Sequence, residues 1–492
     1  MSGIRTLLGQ TAVYGMGTMV PRFLNYLITP YLTYAFSTSD YGINTELFAY
    51  IAFFNIIFTY GFETAYFNFQ NQEQTKNVFS TAFWSITIST LILGVILMLL
   101  VPVFRSILST PNTTYLNSYL YWCIGIIATD ALAAIPFAKL RSGNKALQFS
   151  FLKLLNVIIN LSLTVFFLSY CRHCYETQTN TYWAQWYRPE IGIGYVFLAT
   201  LISNIITTCI VIALHLPIPF SLDAVLWKSM WNYAWPLVIL GVAAMINDTL
   251  DKVLLKWLMP NKADAQVSQG IYGACNKLAV IMSIFIQAFR FAYEPYFFKN
   301  AGHSKSPSHH ARIMTVFILF CCFIFLSISL NMSWIQYFIG SSEYRSGIST
   351  VPILLLAYMC LGIVYNLSIW YKLSQHTQYG AIIALAGAAT TILINVLFMP
   401  LYGYWAATWA TFLAYLLMMV LSYIWGKRHY PIPYELKRIG TYILITLVVY
   451  ALSYFTTQIT SSYISLLLNN LFILSFAYLV YRIEIRNYES SN

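Results

Sequence analysis

Apolar runs of about 20 residues recur along the whole of this 492-residue chain. A helix of that length crosses a hydrocarbon core of ~30 Å. Inside a bilayer a helix satisfies its own backbone hydrogen bonds, whereas a β-barrel would use alternating segments of roughly ten residues, and the runs here are continuous. The sequence therefore predicts an all-α integral membrane protein.

The composition excludes a soluble protein. Hydrophobic residues make up 59% of the chain and charged residues only 9%, whereas about a quarter of a soluble domain is charged. A net charge of +11 would favour nucleic acid as a partner of a soluble protein, but we assign it to cytoplasmic loops and expect no nucleic acid. The first apolar run contains Arg22 and shows no small-residue cleavage site, so we interpret it as a retained span.

The apolar runs predict about fourteen transmembrane helices. Their approximate positions are 10–35, 43–68, 78–104, 116–138, 147–170, 191–215, 231–258, 269–297, 313–333, 347–371, 378–399, 402–425, 439–457 and 462–481. A weak internal repeat suggests two pseudo-symmetric six-helix lobes, because Asp40-Tyr41-Gly42 precedes the second span as Gly270-Ile271-Tyr272-Gly273 precedes the eighth. We therefore predict an N-terminal lobe (1–215), a cytoplasmic linker (216–230), a C-terminal lobe (231–426), a second linker (427–438) and a C-terminal helix pair with a short cytoplasmic tail (439–492).

The basic residues predict the orientation of these helices. With the N-terminus inside, sixteen of the 27 Lys and Arg residues fall in inner loops and tails, five in outer loops and six within spans. Cytoplasmic loops of membrane proteins carry an excess of Lys and Arg. Both termini are therefore expected on the cytoplasmic side.

Charged residues within the spans are the strongest functional signal. Each costs ~2.5–3.5 kcal/mol at the bilayer centre on insertion scales. A chain that keeps several of them is expected to line a wet, charged interior. They are densest in the helical hairpin from Trp231 to Phe298, which we interpret as one wall of the substrate cavity of a transporter.

Cations within the spans are candidates for binding an anionic substrate. Basic side chains that face a cavity attract phosphate, and Arg binds it through a bidentate fork. The residues assigned to this cationic cavity are Arg22, Lys153, Lys252, Lys277 and Arg290.

Carboxylates within the spans have two open interpretations. They could bind a proton or sodium ion that couples transport, or they could pair with the cations. The candidates are Glu63, Asp130, Asp248, Asp251 and Glu294. For Asp248–Lys252 and Arg290–Glu294, each one helical turn apart, the local ion pair is favoured. No cofactor is predicted apart from such a coupling ion.

No enzyme motif occurs in the sequence. It contains no HExxH, Walker A or GxSxG pattern, and no outer loop large enough for a glycosyl-transfer or polymerising site. Cys171 and Cys174 lie in a predicted outer loop, where an ordinary loop or a short-range disulfide is favoured. A zinc site would need two further ligands and only His173 is close, so no metal site is predicted.

The chain resembles the polysaccharide (O-antigen type) flippases of the multidrug/oligosaccharidyl-lipid/polysaccharide exporter (MOP) superfamily. The resemblance covers nearly the whole chain. It rests most on Gly9-Gln10-Thr11 through Pro30 with Asp40-Tyr41-Gly42, on the segment from Asn247 to Lys252, and on the run from Ile271-Tyr272-Gly273 through Arg290 to Glu294-Pro295.

This resemblance implies a structure, a substrate and a location. It implies fourteen helices in two lobes around a V-shaped central cavity that opens by alternating access. The implied substrate is an undecaprenyl-diphosphate-linked oligosaccharide, moved from the cytoplasmic to the periplasmic leaflet of a bacterial inner membrane for O-antigen or lipopolysaccharide synthesis. The implied partners are this lipid-linked oligosaccharide, the bilayer and other polysaccharide-assembly proteins.

Three other functions compete with this one. A flippase for the peptidoglycan precursor lipid II shares the architecture. A drug or cation exporter of the same superfamily would have twelve spans and an acidic cavity with few cations. A membrane glycosyltransferase or polymerase would need a sizeable catalytic loop outside the membrane, which the sequence lacks.

Overall fold

The computed structural model describes residues 15, 17–70, 77–109, 115–143, 145–177, 182–300, 306–373, 376–459 and 462–489. In this part of the chain the regular structure is helical throughout, without a strand. The mean hydropathy of +0.65 explains the helical structure, because apolar segments in lipid must satisfy their backbone groups internally. The predicted all-α class is confirmed.

Twelve helices of the described residues are long and apolar enough to cross a membrane, and each coincides with a predicted span. The first and seventh predicted spans are the two without such a counterpart. Residues 1–14 and 16 lie outside the described residues. The seventh span corresponds to a continuous helix, Ala224–Leu258, which carries Asp248, Asp251, Lys252 and Lys256 near its end. The count of fourteen therefore stays a prediction.

The helices are numbered in chain order. They are α1 (17–27), α2 (Thr29–Ala35), α3 (Thr38–Thr59), α4 (Phe62–Gln70), α5 (Val78–Leu99), α6 (Val101–Leu108), α7 (Asn117–Ser142), α8 (Ala146–Val165), α9 (Arg172–Glu176), α10 (Tyr182–Trp186), α11 (Gly194–Ala213), α12 (Ala224–Leu258), α13 (Lys262–Asn300), α14 (Ser306–Leu330), α15 (Met332–Ile335), α16 (Val351–Leu367), α17 (Ile369–Leu373), α18 (Thr377–Tyr402), α19 (Tyr404–His429), α20 (Leu436–Ile459) and α21 (Ser462–Glu489). A π-helical turn, Phe166–Cys171, joins α8 to α9, and 3₁₀ turns cover Pro189–Ile191, Gln336–Phe338 and Ser342–Thr350.

Packing divides the chain into two compact units. The first contains Met1–Ile28 and Phe36–Gly270, and the second contains Thr29–Ala35 and Ile271–Asn492. Helix α12 thus belongs to the first unit, whereas the predicted C-terminal lobe began at residue 231. The two compact units are defined by contacts, whereas the predicted lobes were defined by the internal repeat. The predicted lobe boundaries therefore stay a prediction.

In the first unit α7 lies at the centre and packs on α3, α5 and α11. Local signals fix where the surrounding helices begin. The Ser37 hydroxyl accepts a hydrogen bond from the Asp40 amide at the start of α3. The Asp223 carboxylate accepts two, from the Val225 and Leu226 amides, each at 3.0 Å, at the start of α12. Both are standard N-terminal caps that satisfy amides left without a partner by the first turn.

Two glycines let the start of α3 approach α13 closely. A Cβ on Gly42 would lie 2.2 Å from the Gln266 carbonyl oxygen, and a Cβ on Gly270 would lie 1.8 Å from that of Thr38. Small residues at helix contacts allow this approach in membrane proteins. These glycines are the ones that carried the predicted internal repeat.

In the second unit α18 packs on α19, α19 packs on α16, and α16 packs on α14. The terminal helices α20 and α21 pack on each other and on α14. A buried amide fixes this addition: Asn469 donates to the Leu330 carbonyl at 2.6 Å and accepts from the Ser453 hydroxyl at 2.9 Å. Polar side chains of this kind hold transmembrane helices together.

Candidate functional site

Asp130 in α7 is the centre of a polar interior in the first unit. Its two carboxylate oxygens accept hydrogen bonds from the amide groups of Asn55 in α3, at 3.1 Å, and Asn204 in α11, at 2.9 Å. Asp130 was predicted as a coupling-ion or ion-pair residue. The structure adds two amide donors from neighbouring helices, and hydrogen bonds to charged groups are the stronger kind.

A line of uncharged polar side chains extends this interior along α8 and α11. Asn156 donates to the Asn204 carbonyl at 2.9 Å and to the Thr207 hydroxyl at 3.0 Å. Asn160, one turn further along α8, donates to the Thr200 hydroxyl at 2.9 Å. These residues carry no charge and were not predicted as site residues. The i, i+4 spacing of the two asparagines within an apolar span was the available signal.

Lys153 lies on α8 beside the same interior. Its Nζ is 4.2 Å from the centre of the Phe137 ring, and it lies within electrostatic range of the Asp130 carboxylate. The next charges that act on it are those of Arg141 and Arg22. The predicted residues Arg22, Asp130 and Lys153 are therefore neighbours in one unit, and Arg141 joins them.

Arg141, in the last turn of α7, forms an ion pair with Glu63 in α4. Its guanidinium carbon also lies 5.1 Å from the Phe67 ring centre and 5.6 Å from that of Phe149. Because the predicted span ended at residue 138, Arg141 was expected in an inner loop, whereas α7 continues to Ser142. The structure thus gives Glu63 a partner that the sequence did not indicate.

A second ion pair of the first unit is fully enclosed. Lys256 Nζ lies 3.0 Å from Glu46 Oε2, and the two side chains are 2% and 0% exposed. The Tyr115 hydroxyl donates to the same carboxylate, and it lies 3.1 Å from Lys256 Nζ and 3.2 Å from Gln266 Nε2. Neither Glu46 nor Lys256 was among the predicted site residues. Their positions near helix ends gave no sign that both would be buried.

The α12 residues of the predicted cavity have local contacts instead. Lys252 Nζ donates to the backbone carbonyl of Asp248 at 2.8 Å, not to its carboxylate, so the favoured Asp248–Lys252 ion pair is replaced by a side chain–backbone bond. Asp251 is buried and its carboxylate accepts from the Lys252 amide at 2.8 Å. Asp248 itself is exposed.

The remaining predicted residues belong to the second unit. Lys277 and Arg290 are exposed on α13, and the Arg290 guanidinium lies 5.1 Å from the Tyr365 ring centre. The Glu294 side chain lies outside the described residues, so the Arg290–Glu294 pair stays a prediction. Cys171 and Cys174, in the first unit, are buried thiols that form no disulfide. In the described part of the chain no group of three or more His, Cys, Asp or Glu side chains could hold a metal ion.

Comparison with known proteins identifies the family. A family described as polysaccharide biosynthesis protein matches residues 7–301 of the chain. The chain belongs to this family. Comparison with curated proteins found no match.

Solved structures show the fold of this family member. The lipid II flippase MurJ, in an inward closed conformation, superposes with a TM-score of 0.74 at 15% identity, over 96% of this chain and 100% of that chain. A multidrug resistance MATE family transporter of the MOP superfamily, in an inward-facing conformation, gives 0.64 at 12%, over 85% and 97%. The MATE multidrug transporter DinF-BH gives 0.59 at 16%, over 87% and 96%. The chain therefore has the fold shared by these flippase and multidrug transporter structures.

Proposed function

We propose that the chain translocates a polyprenyl-diphosphate-linked oligosaccharide from the cytoplasmic to the periplasmic leaflet of a bacterial inner membrane. The translocated lipid would supply assembly of O-antigen or another surface polysaccharide, in which other assembly proteins are candidate partners. Transport would proceed by alternating access. The family supports a polysaccharide role, and the twelve apolar helices support a membrane transporter.

One observation carries the choice of a diphosphate substrate. Arg22 and Arg141 both lie within electrostatic range of Lys153 in the first unit, although its helices are apolar. Cations held so close repel each other, and a multivalent anion relieves this repulsion. A diphosphate has that charge, and Arg is suited to bind it through paired hydrogen bonds.

The carboxylates provide candidates for coupling to an ion gradient. Asp130 is the candidate in the first unit, because its carboxylate faces Lys153 and would take up a proton or a sodium ion if that cation moved away. The amides of Asn55 and Asn204, which donate to the carboxylate, hold it in place. Asp248 and Asp251 are the corresponding candidates in α12. Coupling at any of them would make transport depend on the imposed gradient.

Reconstitution into proteoliposomes tests the proposal. The purified protein is supplied with an undecaprenyl-diphosphate-linked oligosaccharide, with lipid II or with a cationic dye, each with and without a proton or sodium gradient. We expect the lipid-linked oligosaccharide to become accessible in the opposite leaflet. Movement of the dye alone, or of none of the three, would contradict the proposal.

Lipid II is the second candidate substrate. The observation that favours it is the superposition on the whole length of a lipid II flippase. Both lipids carry a diphosphate, so the cations of the first unit fit either of them. The two lipid arms of the reconstitution separate these functions, because a lipid II flippase would move lipid II and leave the other oligosaccharide lipid in place.

Neutralising the predicted cavity cations provides a test in cells. Arg22→Gln or Lys277→Gln should lower display of surface polysaccharide by about tenfold or more, since a hydrogen bond to a charged group is lost. Immunoblotting should show unchanged protein levels. Arg172→Gln is the matched control, because Arg172 forms an exposed ion pair with Glu176. This pair follows α8 in the chain, whereas Arg141 precedes α8. Normal glycan display in the Arg22 and Lys277 variants would exclude a cavity role for these residues.

A further inference from the structure

Two basic side chains of the first unit are joined through a pair of aromatic rings. Lys153 Nζ lies 4.2 Å from the Phe137 ring centre, and the Arg141 guanidinium lies 5.6 Å from that of Phe149. The two rings contact each other edge to face, with centres 5.7 Å apart. The rings anchor the two cations at fixed positions without neutralising their charge.

Close packing of α1 on α8 brings a third cation to this place. A Cβ on Gly17 would lie 2.0 Å from the Ser150 hydroxyl, so the two helices are in direct contact there. Arg22 lies five residues after Gly17 on α1, and Lys153 lies three residues after Ser150 on α8. The charges of Arg22 and Arg141 both act on Lys153. We call Arg22, Arg141 and Lys153 the basic cluster.

The carboxylates beside the basic cluster differ in how firmly they are held. Asp130 accepts hydrogen bonds from two amides and faces Lys153. Glu63 pairs with Arg141, and the two side chains are 39% and 36% exposed. This pair is partly exposed at the predicted cytoplasmic end of α7, so its ions separate at a smaller cost than those of an enclosed pair. An incoming anion can therefore replace Glu63 at Arg141 more easily than it can replace Asp130.

The position of Arg141 at the end of a helix does not by itself explain this arrangement. A cation in the last turn of a helix is favoured by the helix dipole. Lys139 meets the same condition in the same turn, but it lies 3.8 Å from the ring of Phe79 instead. Of these two residues, Arg141 is the one that contacts both the Glu63 carboxylate and the Phe149 ring, which packs on the ring beside Lys153.

Resting on the proposed function, we propose that Arg141 binds the diphosphate of the lipid-linked substrate, and that Glu63 holds its guanidinium in place until the diphosphate replaces the carboxylate. No covalent bond changes in this exchange. One ion pair is broken and another forms, while Arg22 and Lys153 balance the remaining phosphate charge. Arg141 lies at the predicted cytoplasmic end of α7, which is the side from which the substrate would arrive.

The exchange predicts opposite effects for the two partners. Arg141→Gln removes a binding group, so affinity for a diphosphate should fall by about tenfold or more. Glu63→Gln removes the competing internal anion, so affinity should rise by about two- to fivefold, which is what a partly exposed ion pair contributes. Arg141→Lys keeps the charge and loses the bidentate fork, so its affinity should lie in between.

Binding of short-chain analogues to the full-length purified protein measures these effects. Farnesyl diphosphate, farnesyl monophosphate and farnesol are titrated in detergent, with intrinsic tryptophan fluorescence as the readout. We expect the split between Arg141→Gln and Glu63→Gln with the diphosphate and no split with farnesol. Thermal melting confirms that each variant is folded, and Glu63→Gln keeps the arginine and its aromatic contacts.

The control and the contrary results are distinct. Arg172→Gln and Glu176→Gln disrupt another exposed ion pair of the same unit and should leave diphosphate affinity unchanged. If both Arg141 and Glu63 variants weaken binding, or neither changes it, the pair is structural and the exchange is wrong. If the wild-type protein binds no diphosphate and moves no lipid-linked saccharide, the proposed function fails instead.

Discussion

Two ion pairs of the first unit draw their carboxylates from the same predicted span, yet their surroundings differ. Glu46 in α3 and Lys256 are 0% and 2% exposed, whereas Glu63 in α4 and Arg141 are 39% and 36% exposed. The enclosed pair is shut off from its surroundings, so nothing replaces a lost partner. The other pair is partly exposed at the predicted cytoplasmic end of α7. From this comparison we expect exposure, rather than charge, to separate a structural ion pair from one whose partner a substrate could replace.

The enclosed pair is completed by a tyrosine. The Tyr115 hydroxyl donates to the Glu46 carboxylate and stands 3.1 Å from Lys256 Nζ. Burial and the Glu46 charge hold the pKa of Tyr115 well above its usual value, so the hydroxyl keeps its proton and remains a donor. A buried ion pair is tolerated when further hydrogen bonds satisfy it in this way.

Breaking the enclosed pair should have the largest effect. Lys256→Met or Glu46→Gln leaves one buried charge without its counterion, which costs about 3–5 kcal/mol of the free energy of unfolding. Denaturant unfolding in mixed micelles measures this loss. A single variant within about 1 kcal/mol of the wild type would show that water reaches the pair, and the comparison with Glu63–Arg141 would fail.

The double variant Glu46→Gln/Lys256→Met is the matched control for that prediction. Replacing both ions by uncharged groups of similar volume is often neutral or stabilising. We expect the double variant to recover most of the loss. If the double variant is as unstable as the single ones, the cost arises from packing around Tyr115 rather than from an uncompensated charge.

Asp130 should be intermediate between the enclosed and the partly exposed ion pair in its contribution to stability. Asp130→Asn replaces a charged acceptor of two amide hydrogen bonds with a side chain that can accept on one side only. We expect a loss of roughly 2 kcal/mol in the free energy of unfolding. Asn160→Ala, which removes a neutral bond to Thr200 from the same polar line, should cost about 1 kcal/mol. Equal costs would indicate that the Asp130 charge contributes nothing to stability.

The sequence was sufficient to predict the fold class and twelve of the spans. An apolar run of bilayer length forms a helix in lipid, and this outcome depends on the run itself rather than on distant residues. It was also sufficient to select Arg22, Asp130 and Lys153, because charge inside a span is rare. What connects these three residues depends on which helices pack together, and helix contacts are not local in sequence.

The partners of the charges were harder to predict for the same reason. Glu63 meets Arg141 only because α7 continues past its predicted end and packs on α4. Glu46 meets Lys256 only because α3 packs on α12, 210 residues later in the chain. Uncharged partners such as Asn55 and Asn204 gave no signal in a search for charge. A search for asparagine within apolar spans would have found them.

The smallest expected effect on stability is that of the exposed pair in α4 and α7. Glu63→Gln should lower the free energy of unfolding by less than about 1 kcal/mol, because ion pairs that water reaches contribute little. The same variant is expected to change diphosphate affinity. An effect on binding without one on stability is what distinguishes an exchangeable pair from a structural one. Denaturant unfolding of the variant, beside that of Lys256→Met, measures the contrast.

Arg172–Glu176 sets the scale for that measurement. Its side chains are 46% and 57% exposed, one turn apart on α9, and such pairs contribute about 0.3–0.5 kcal/mol. Glu176→Gln should therefore match Glu63→Gln in stability while leaving binding unchanged. If Glu63→Gln instead costs as much as Lys256→Met, the partial exposure of Glu63 has no energetic meaning. The carboxylate would then be a fixed part of the helix packing, and a substrate could not displace it from Arg141.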